Sequence, residues 1–147
     1  MSETVRVMLE EDVVNKRIAE LGEALSKEFE GENLHLICIL KGSIFFTCEL
    51  AKRITVPVTM DFMSVSSYGS GTTSSGNVII KKDLDEDIAG KNVVVIEDII
   101  DTGRTLESLL KLLKKRNPKT LKLCTLLDKP DRRIADVSVD YTGFVIP

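Results

Sequence analysis

The chain has 147 residues, of which 43% are hydrophobic and 29% are charged, and its formal net charge is −3. This length suits one domain with one core, and the composition excludes a disordered or membrane-embedded chain. A protein that binds nucleic acids without specificity would carry a basic excess, so the charge argues against that class. No apolar run resembles a signal peptide or a membrane span, which predicts a cytoplasmic protein.

The hydrophobic pattern predicts helices that alternate with strands. Apolar residues at intervals of three and four predict a helix over residues 11–29, and the apolar run 34–40 predicts a strand buried on both faces. The remaining predicted elements are a helix over 44–53, a strand over 58–66, a polar loop over 67–76, strands over 77–82 and 93–96, a helix over 104–116, a strand over 121–127 and an extended segment over 137–146. This order predicts an α/β fold with a mainly parallel central sheet flanked by helices.

Three cysteines lie in apolar segments of the chain. Cys38, Cys48 and Cys124 have no CxxC spacing and no histidine partner nearby. We therefore expect all three to be buried, reduced thiols that act as small hydrophobic side chains.

Acidic residues follow the predicted strand over 93–96. Glu97 and Asp98 come directly after it, and Asp101 is one short loop away. Adjacent carboxylates at the end of an apolar strand are costly to desolvate unless a cation or hydrogen-bond donors meet them. A ribose diol offers two donors, and a bound Mg²⁺ would relieve the repulsion between the acids. A solvated loop with acids by chance is the alternative, but the pattern favours a sugar and metal site.

The turn after these acids suits a phosphate group. Asp101, Thr102, Gly103 and Thr105 lie where the helix over 104–116 begins, and the first backbone N–H groups of a helix have no internal partner and attract anions. The glycine allows a ligand to approach the backbone, and the hydroxyls add donors. Ordinary capping of the helix by Asp101 or Thr102 is the alternative, and these residues alone leave it open. The glycines fit neither a Walker A loop nor a dinucleotide-binding motif.

The segment 93–106 closely resembles the ribose-phosphate signature of the phosphoribosyltransferases: an apolar strand, two acids, two aliphatic residues and Asp-Thr-Gly-x-Thr. The resemblance covers nearly the whole chain, is close to bacterial hypoxanthine-guanine members, and implies the type I phosphoribosyltransferase fold. It implies that Glu97 and Asp98 hold the ribose hydroxyls and Mg²⁺. It also implies that Asp101 is the general base or acid near the purine. The implied 5-phosphate site comprises Asp101, Thr102, Gly103, Arg104 and Thr105.

Two further segments resemble loops of the same family. Lys41 and Gly42 match its pyrophosphate loop, in which the peptide between residues 40 and 41 can be cis. A simple strand-to-helix turn with Ser43 as the N-cap is the alternative. Ser67 and Tyr68 match the mobile catalytic loop, which would close over the diphosphate and exclude water. A flexible hairpin without a role is the alternative there.

A fourth segment follows the predicted strand over 121–127. The resemblance assigns Lys129 to the exocyclic oxygen at position 6 of the purine, a contact that favours 6-oxopurines over adenine. It places Arg133 near the pyrophosphate. The alternative for Lys129 is a solvated surface lysine.

Together these matches imply purine salvage by a single domain over residues 1–147. The implied reaction transfers the 5-phosphoribosyl group of 5-phosphoribosyl 1-diphosphate to hypoxanthine or guanine, with Mg²⁺ as cofactor, in a homodimer or homotetramer without nucleic-acid or membrane partners. Relatives usually continue beyond residue 147 with an aromatic that stacks on the purine and an acid for a second Mg²⁺, so we expect an incomplete hood. Two alternatives stay open: an RNA-binding regulator of the same fold, and a xanthine phosphoribosyltransferase.

Overall fold

A computed structural model describes residues 9–67 and 78–147. The elements of these ranges are α1 Glu11–Glu28, β1 Leu34–Ile39, α2 Ile44–Ala51, β2 Val58–Ser67, β3 Val78–Lys82, β4 Asn92–Ile100, α3 Arg104–Lys114, β5 Thr120–Asp128 and β6 Tyr141–Val145, with a 3-10 turn at Pro130–Arg132. The predicted order of helices and strands is confirmed. Within the described ranges, no helix combines the length and the hydrophobicity that crossing a membrane would require.

The strands form one sheet in the order β3-β2-β1-β4-β5-β6. Only β2 and β3 are antiparallel among these neighbours, so the predicted mainly parallel sheet is confirmed. The chain builds the sheet outward from β1 in one direction and from β4 in the other. In open α/β sheets, ligands bind outside the carboxyl ends of the strands where the order reverses. The ends of β1 and β4 are therefore the first place to look for a site.

Hydrophobic residues cover both faces of the sheet. Successive side chains of a strand point to opposite faces, and β4 shows this alternation. Val94 and Ile96 pack in one core cluster with α1 and α2. Val93 and Val95 pack in a second cluster with α3. Both faces of β4 are thus sealed along residues 93–96, and its acidic residues lie at its carboxyl end.

The largest differences from the predicted strand boundaries are at the end of β4 and at the start of β6. β4 does not end at Ile96 but continues to Ile100, because Ile99 and Ile100 still pair with β5. The predicted extended segment 137–146 becomes a strand only at residue 141. Just before that strand, the Asp140 side chain accepts a hydrogen bond from the backbone of Leu123 at 2.8 Å, in addition to the backbone contact between the same two residues. A side chain thus takes part in the pairing next to β5.

The prediction for the cysteines is wrong at one position. Cys38 and Cys124 are buried, whereas Cys48 is exposed on α2. This helix has only eight residues, and its buried positions are Phe46, Thr47 and Leu50. Position 48 therefore lies on the side of the helix that faces solvent.

Candidate active site

The carboxyl ends of β1 and β4 bring two of the predicted loops together. The Leu40–Lys41 peptide after β1 is cis, and a β-carbon built on Gly42 would lie 3.8 Å from the β-carbon of Asp98. The predicted pyrophosphate loop therefore lies against an acid of β4. Ser43 makes no side-chain cap for α2; its hydroxyl donates instead to the carbonyl oxygen of Ile39 at 2.6 Å. Ser43 thus occupies the N-cap position of α2, as the alternative predicted, but its side chain makes no capping hydrogen bond.

Glu97 and Asp98 leave β4 in different directions, as neighbours in a strand do. Glu97 lines a cleft of about 180 Å³ together with residues 99–106, whereas Asp98 faces Gly42. One acid therefore lies beside the predicted phosphate turn and the other beside the predicted pyrophosphate loop. Sequence reasoning missed this division because it ended the strand before the two acids.

The two acids are poorly compensated in the protein alone. Burial raises the pKa of Glu97 to about 7; the backbone N–H of Asp98, 3.3 Å from Oε1, opposes this rise and the negative charge of Asp98 adds to it. Burial also raises the pKa of Asp98. Within the described ranges, neither carboxylate has a basic side chain as an ion-pair partner. A cation would relieve both acids, so they fit Mg²⁺.

The described residues do not form a complete metal site by themselves. In the ranges 9–67 and 78–147, no group of three or more His, Cys, Asp or Glu side chains is placed to hold a metal ion. Mg²⁺ commonly binds through one or two carboxylates, with water and substrate phosphates as the other ligands. The fit is therefore to Mg²⁺ that arrives with a phosphorylated substrate.

The predicted phosphate turn connects β4 to α3. Gly103 has a φ of 80° and occupies the N-cap position of α3. A β-carbon there would lie 3.0 Å from Cδ of Arg133, so both the backbone conformation and the available space require glycine. The N-cap residue of α3 is therefore Gly103, which has no side chain to make a cap, and neither Asp101 nor Thr102 holds that position. The start of a helix attracts an anion through its first backbone N–H groups. Arg104 and Thr105 open α3 and line the same cleft.

Asp101 lies beside Lys129. Nζ of Lys129 is 3.9 Å from Oδ1 of Asp101, and Oδ1 is buried without a hydrogen-bond partner among the described residues. The Asp101 side chain is 45% exposed, so its accessible part lies away from Oδ1. The backbone N–H of Lys129 donates to the carbonyl oxygen of Ile100 at 3.0 Å, which joins the ends of β4 and β5. With a side chain only 26% exposed, Lys129 is not an ordinary surface lysine.

Arg133 is held by acceptors on the protein. Its Nε donates to the carbonyl oxygen of Asp101 at 3.1 Å, Nη1 to that of Val137 at 3.3 Å, and Nη2 to the carboxylate of Asp128. The predicted contact of Arg133 with pyrophosphate stays a prediction. Sequence reasoning missed Asp128, and the available signal was its position at the carboxyl end of a buried strand.

The predicted mobile loop lies mostly beyond what the structure describes. Ser67 is described only as the last backbone residue of β2, and Tyr68 lies outside the described residues. Their predicted part in closing the site stays a prediction.

A larger cavity lies at the opposite edge of the sheet, with a volume of about 500 Å³. It is lined by residues at the amino ends of β1, β2 and β4, among them His35. Nδ1 of His35 lies 2.7 Å from the hydroxyl of Thr59. Nε2 is buried and has no hydrogen-bond partner in the described part of the chain. The acids of β4 and the phosphate turn lie at the carboxyl edge instead, where the cleft is smaller.

A mainly parallel sheet with acids and a glycine turn at its switch point is typical of proteins that bind a phosphorylated ligand there. A phosphoribosyl transferase domain model matches residues 9–147. The hypoxanthine phosphoribosyltransferase of Salmonella typhimurium is 48% identical, over all of this chain and 84% of the relative. The crystal structure of a hypoxanthine-guanine phosphoribosyltransferase from Bacillus anthracis has a TM-score of 0.94 at 45% identity, over 99% of this chain and 85% of that one. A hypoxanthine phosphoribosyltransferase from Staphylococcus aureus has a TM-score of 0.93 at 46% identity, over 97% and 77%.

The chain therefore belongs to the phosphoribosyltransferase family. It is a phosphoribosyltransferase enzyme and has the type I fold that the sequence predicted.

Proposed function

We propose that this enzyme transfers the 5-phosphoribosyl group of 5-phosphoribosyl 1-diphosphate to hypoxanthine or guanine, giving IMP or GMP and pyrophosphate in purine salvage. One observation carries the proposal: Lys129 lies 3.9 Å from Asp101, directly beside the phosphate turn. A cation for the 6-oxo group, a carboxylate for the ring nitrogen and a cradle for the 5-phosphate are thus contiguous. The names of the relatives described above support the same substrates.

The substrate would lie across the carboxyl ends of β1 and β4. Its 5-phosphate would accept hydrogen bonds from the turn and the first residues of α3, and its ribose hydroxyls would donate to Glu97 and Asp98. The diphosphate would extend toward Lys41 and toward Gly42, which faces Asp98. Glu97 and Asp98 would hold Mg²⁺, which supplies positive charge to the diphosphate when it is bound. The residues proposed for the 5-phosphate are Asp101, Thr102, Gly103, Arg104 and Thr105.

The reaction forms a bond from the purine ring nitrogen to C1 of the ribose and breaks the bond from C1 to the diphosphate oxygen. The pyrophosphate leaves with the electron pair, and Lys41 would stabilise its growing charge. Asp101 would accept the proton that the ring nitrogen loses, through the carboxylate oxygen that is not buried against Lys129. Lys129 would donate to the 6-oxo group, which adenine lacks.

Several features of the assembly belong to the same proposal. Residues 1–147 would act as one phosphoribosyltransferase domain, in a cytoplasmic homodimer or homotetramer. Ser67 and Tyr68 would close over the diphosphate during transfer, which would keep water from the reacting bond.

The two alternatives are less well supported. An RNA-binding regulator would need a basic surface, and the formal net charge is −3. Tight, salt-sensitive retention of structured RNA in a filter-binding assay would support the hypothesis of an RNA-binding regulator. Xanthine shares the 6-oxo group, so Lys129 does not exclude it, and only a comparison of the bases decides the matter.

The test is release of pyrophosphate from 5-phosphoribosyl 1-diphosphate and Mg²⁺ with hypoxanthine, guanine, xanthine or adenine. We expect release with hypoxanthine and guanine and none with adenine. Asp101→Asn should lower kcat by roughly 10²–10⁴-fold, the contribution of a general base, with an unchanged circular dichroism spectrum. Asp131→Asn, an exposed acid in the 3-10 turn, is the matched control. Absence of release with any 6-oxopurine, or normal turnover by Asp101→Asn, would overturn the proposal.

A further inference from the structure

We infer that Arg133 is a positioning residue, which directs the backbone N–H groups of the phosphate turn toward the 5-phosphate, and that it is not a ligand of pyrophosphate. The inference rests on the proposed function, because it assigns a role within the proposed phosphate site.

Two carbonyl groups of the turn accept hydrogen bonds from the segment 133–135. Nε of Arg133 donates to the carbonyl oxygen of Asp101 at 3.1 Å. The backbone N–H groups of Ile134 and Ala135 both donate to the carbonyl oxygen of Thr102, at 2.9 Å and 3.0 Å. Two consecutive carbonyl groups of the turn therefore point toward the segment 133–135.

Peptide geometry sets the direction of the backbone N–H groups of the turn. The C=O and N–H of one trans peptide unit point in opposite directions. Because the carbonyl groups of Asp101 and Thr102 point toward Arg133 and its neighbours, the N–H groups of Thr102 and Gly103 point away from them. The turn also lines the cleft that contains Glu97, whereas the segment 133–135 is not among the residues that line it. Fixing the carbonyl groups thus presents two donors to that cleft before a ligand arrives.

The Arg133 guanidinium is itself held in place by hydrogen bonds to the protein. Three of its five N–H groups are committed to protein acceptors, one of them to the carboxylate of Asp128. The Arg133 side chain is 17% exposed and that of Asp128 is 12% exposed. A planar guanidinium that donates to three acceptors has a fixed orientation, whereas the single nitrogen of a lysine could not reach all three acceptors.

A separate contact leads to the same role. A β-carbon on Gly103 would lie 3.0 Å from Cδ of Arg133 and 3.2 Å from Cγ2 of Val137. The aliphatic stem of Arg133 therefore packs directly under the glycine that begins α3. Its guanidinium and its stem support two neighbouring peptide units of the same turn.

The experiment compares two ligands on one variant. Arg133→Lys keeps the positive charge beside Asp128 but removes the planar guanidinium with its several N–H donors. Arg132→Lys makes the same change at an exposed neighbour. Isothermal titration would give the Kd of IMP and of pyrophosphate with Mg²⁺ for each protein. We expect Arg133→Lys to weaken IMP by roughly tenfold or more, as loss of a charged hydrogen bond does. Pyrophosphate affinity and both affinities of Arg132→Lys should stay unchanged.

A loss of pyrophosphate affinity in Arg133→Lys with normal IMP affinity would overturn the inference, as would equal losses for both ligands or for neither. If the wild-type protein bound no IMP at all, the proposed function itself would fail, which is a distinguishable result.

Asp128→Asn provides a second test that keeps Arg133 in place. The change removes the negative charge that holds Nη2, so the Arg133 guanidinium is held less firmly against the turn. A positioning role predicts weaker IMP binding and unchanged pyrophosphate binding. If Arg133 bound pyrophosphate, this change would free it to do so. Tighter pyrophosphate binding with normal IMP binding would therefore refute the positioning role. Thermal unfolding followed by circular dichroism would verify that both variants are folded.

Discussion

Replacing Glu97 by glutamine should stabilise the protein at neutral and alkaline pH while it impairs the proposed sugar site. Burial raises the pKa of Glu97 from 4.5 to about 7. At about 1.4 kcal/mol per pKa unit, this rise corresponds to roughly 3 kcal/mol of destabilisation once the folded carboxylate is ionised. Because the side chain keeps some contact with solvent, we expect Glu97→Gln to raise the free energy of unfolding by about 2 kcal/mol at pH 8.

The sign of the effect follows from the two states of the chain. Below pH 4.5 the carboxyl group is protonated in both the folded and the unfolded protein, so glutamate and glutamine differ little. Between pH 4.5 and about 7 the group ionises only in the unfolded chain, so the stability of the wild-type protein falls relative to the variant. Above pH 7 the difference is constant.

Urea unfolding at pH 5, 6, 7 and 8 without Mg²⁺ would measure this difference. Glu23→Gln on the exposed side of α1 is the control for loss of one carboxylate. A difference between wild type and Glu97→Gln that does not change with pH, or a wild-type protein that is the more stable one at pH 8, would refute the reasoning about desolvation.

Three further substitutions test other parts of the account. Gly103→Ala forces a side chain into a φ of 80° and against Arg133; the free energy of unfolding should fall by about 1–3 kcal/mol, measured in urea, and normal stability would contradict the strain. Lys129→Met should raise the KM for hypoxanthine by roughly tenfold through loss of a charged hydrogen bond, with little change in the KM for phosphoribosyl diphosphate; the opposite pattern in steady-state kinetics would remove Lys129 from the purine site. Gly143→Ala would place a β-carbon 2.5 Å from the carbonyl oxygen of Leu126 and should lower Tm without changing either KM, so an unaltered melting curve would speak against that clash.

The fold could largely be predicted from the sequence, because its strongest signals are local. A strand buried on both faces shows as a continuous apolar run, and an amphipathic helix shows as a spacing of three and four. The end of β4 could not be predicted in this way. Glu97 and Asp98 interrupt the apolar run, but the hydrogen bonds with β5 continue to Ile100. Where a strand ends depends on its neighbour, which the local pattern does not contain.

The sequence could predict which loops meet at the carboxyl edge of the sheet, but not the geometry of their side chains. Parallel strands place their carboxyl ends at one edge, so residues that follow separate apolar runs meet there. The sequence does not show that Glu97 and Asp98 face different loops, or that burial raises the pKa of Glu97. The partnership of Arg133 with Asp128 also depends on how residues 128–137 fold back on the turn, a tertiary feature without a local signal.

The central claim is that the turn at the start of α3 holds the 5-phosphate of the nucleotide. A crystal structure of the protein with IMP would test this most directly. The account predicts phosphate oxygens within hydrogen-bond distance of the backbone N–H groups of Thr102 and Gly103, with the Arg133 guanidinium still on the far side of the turn. An IMP molecule bound with its phosphate away from these backbone groups would contradict the account.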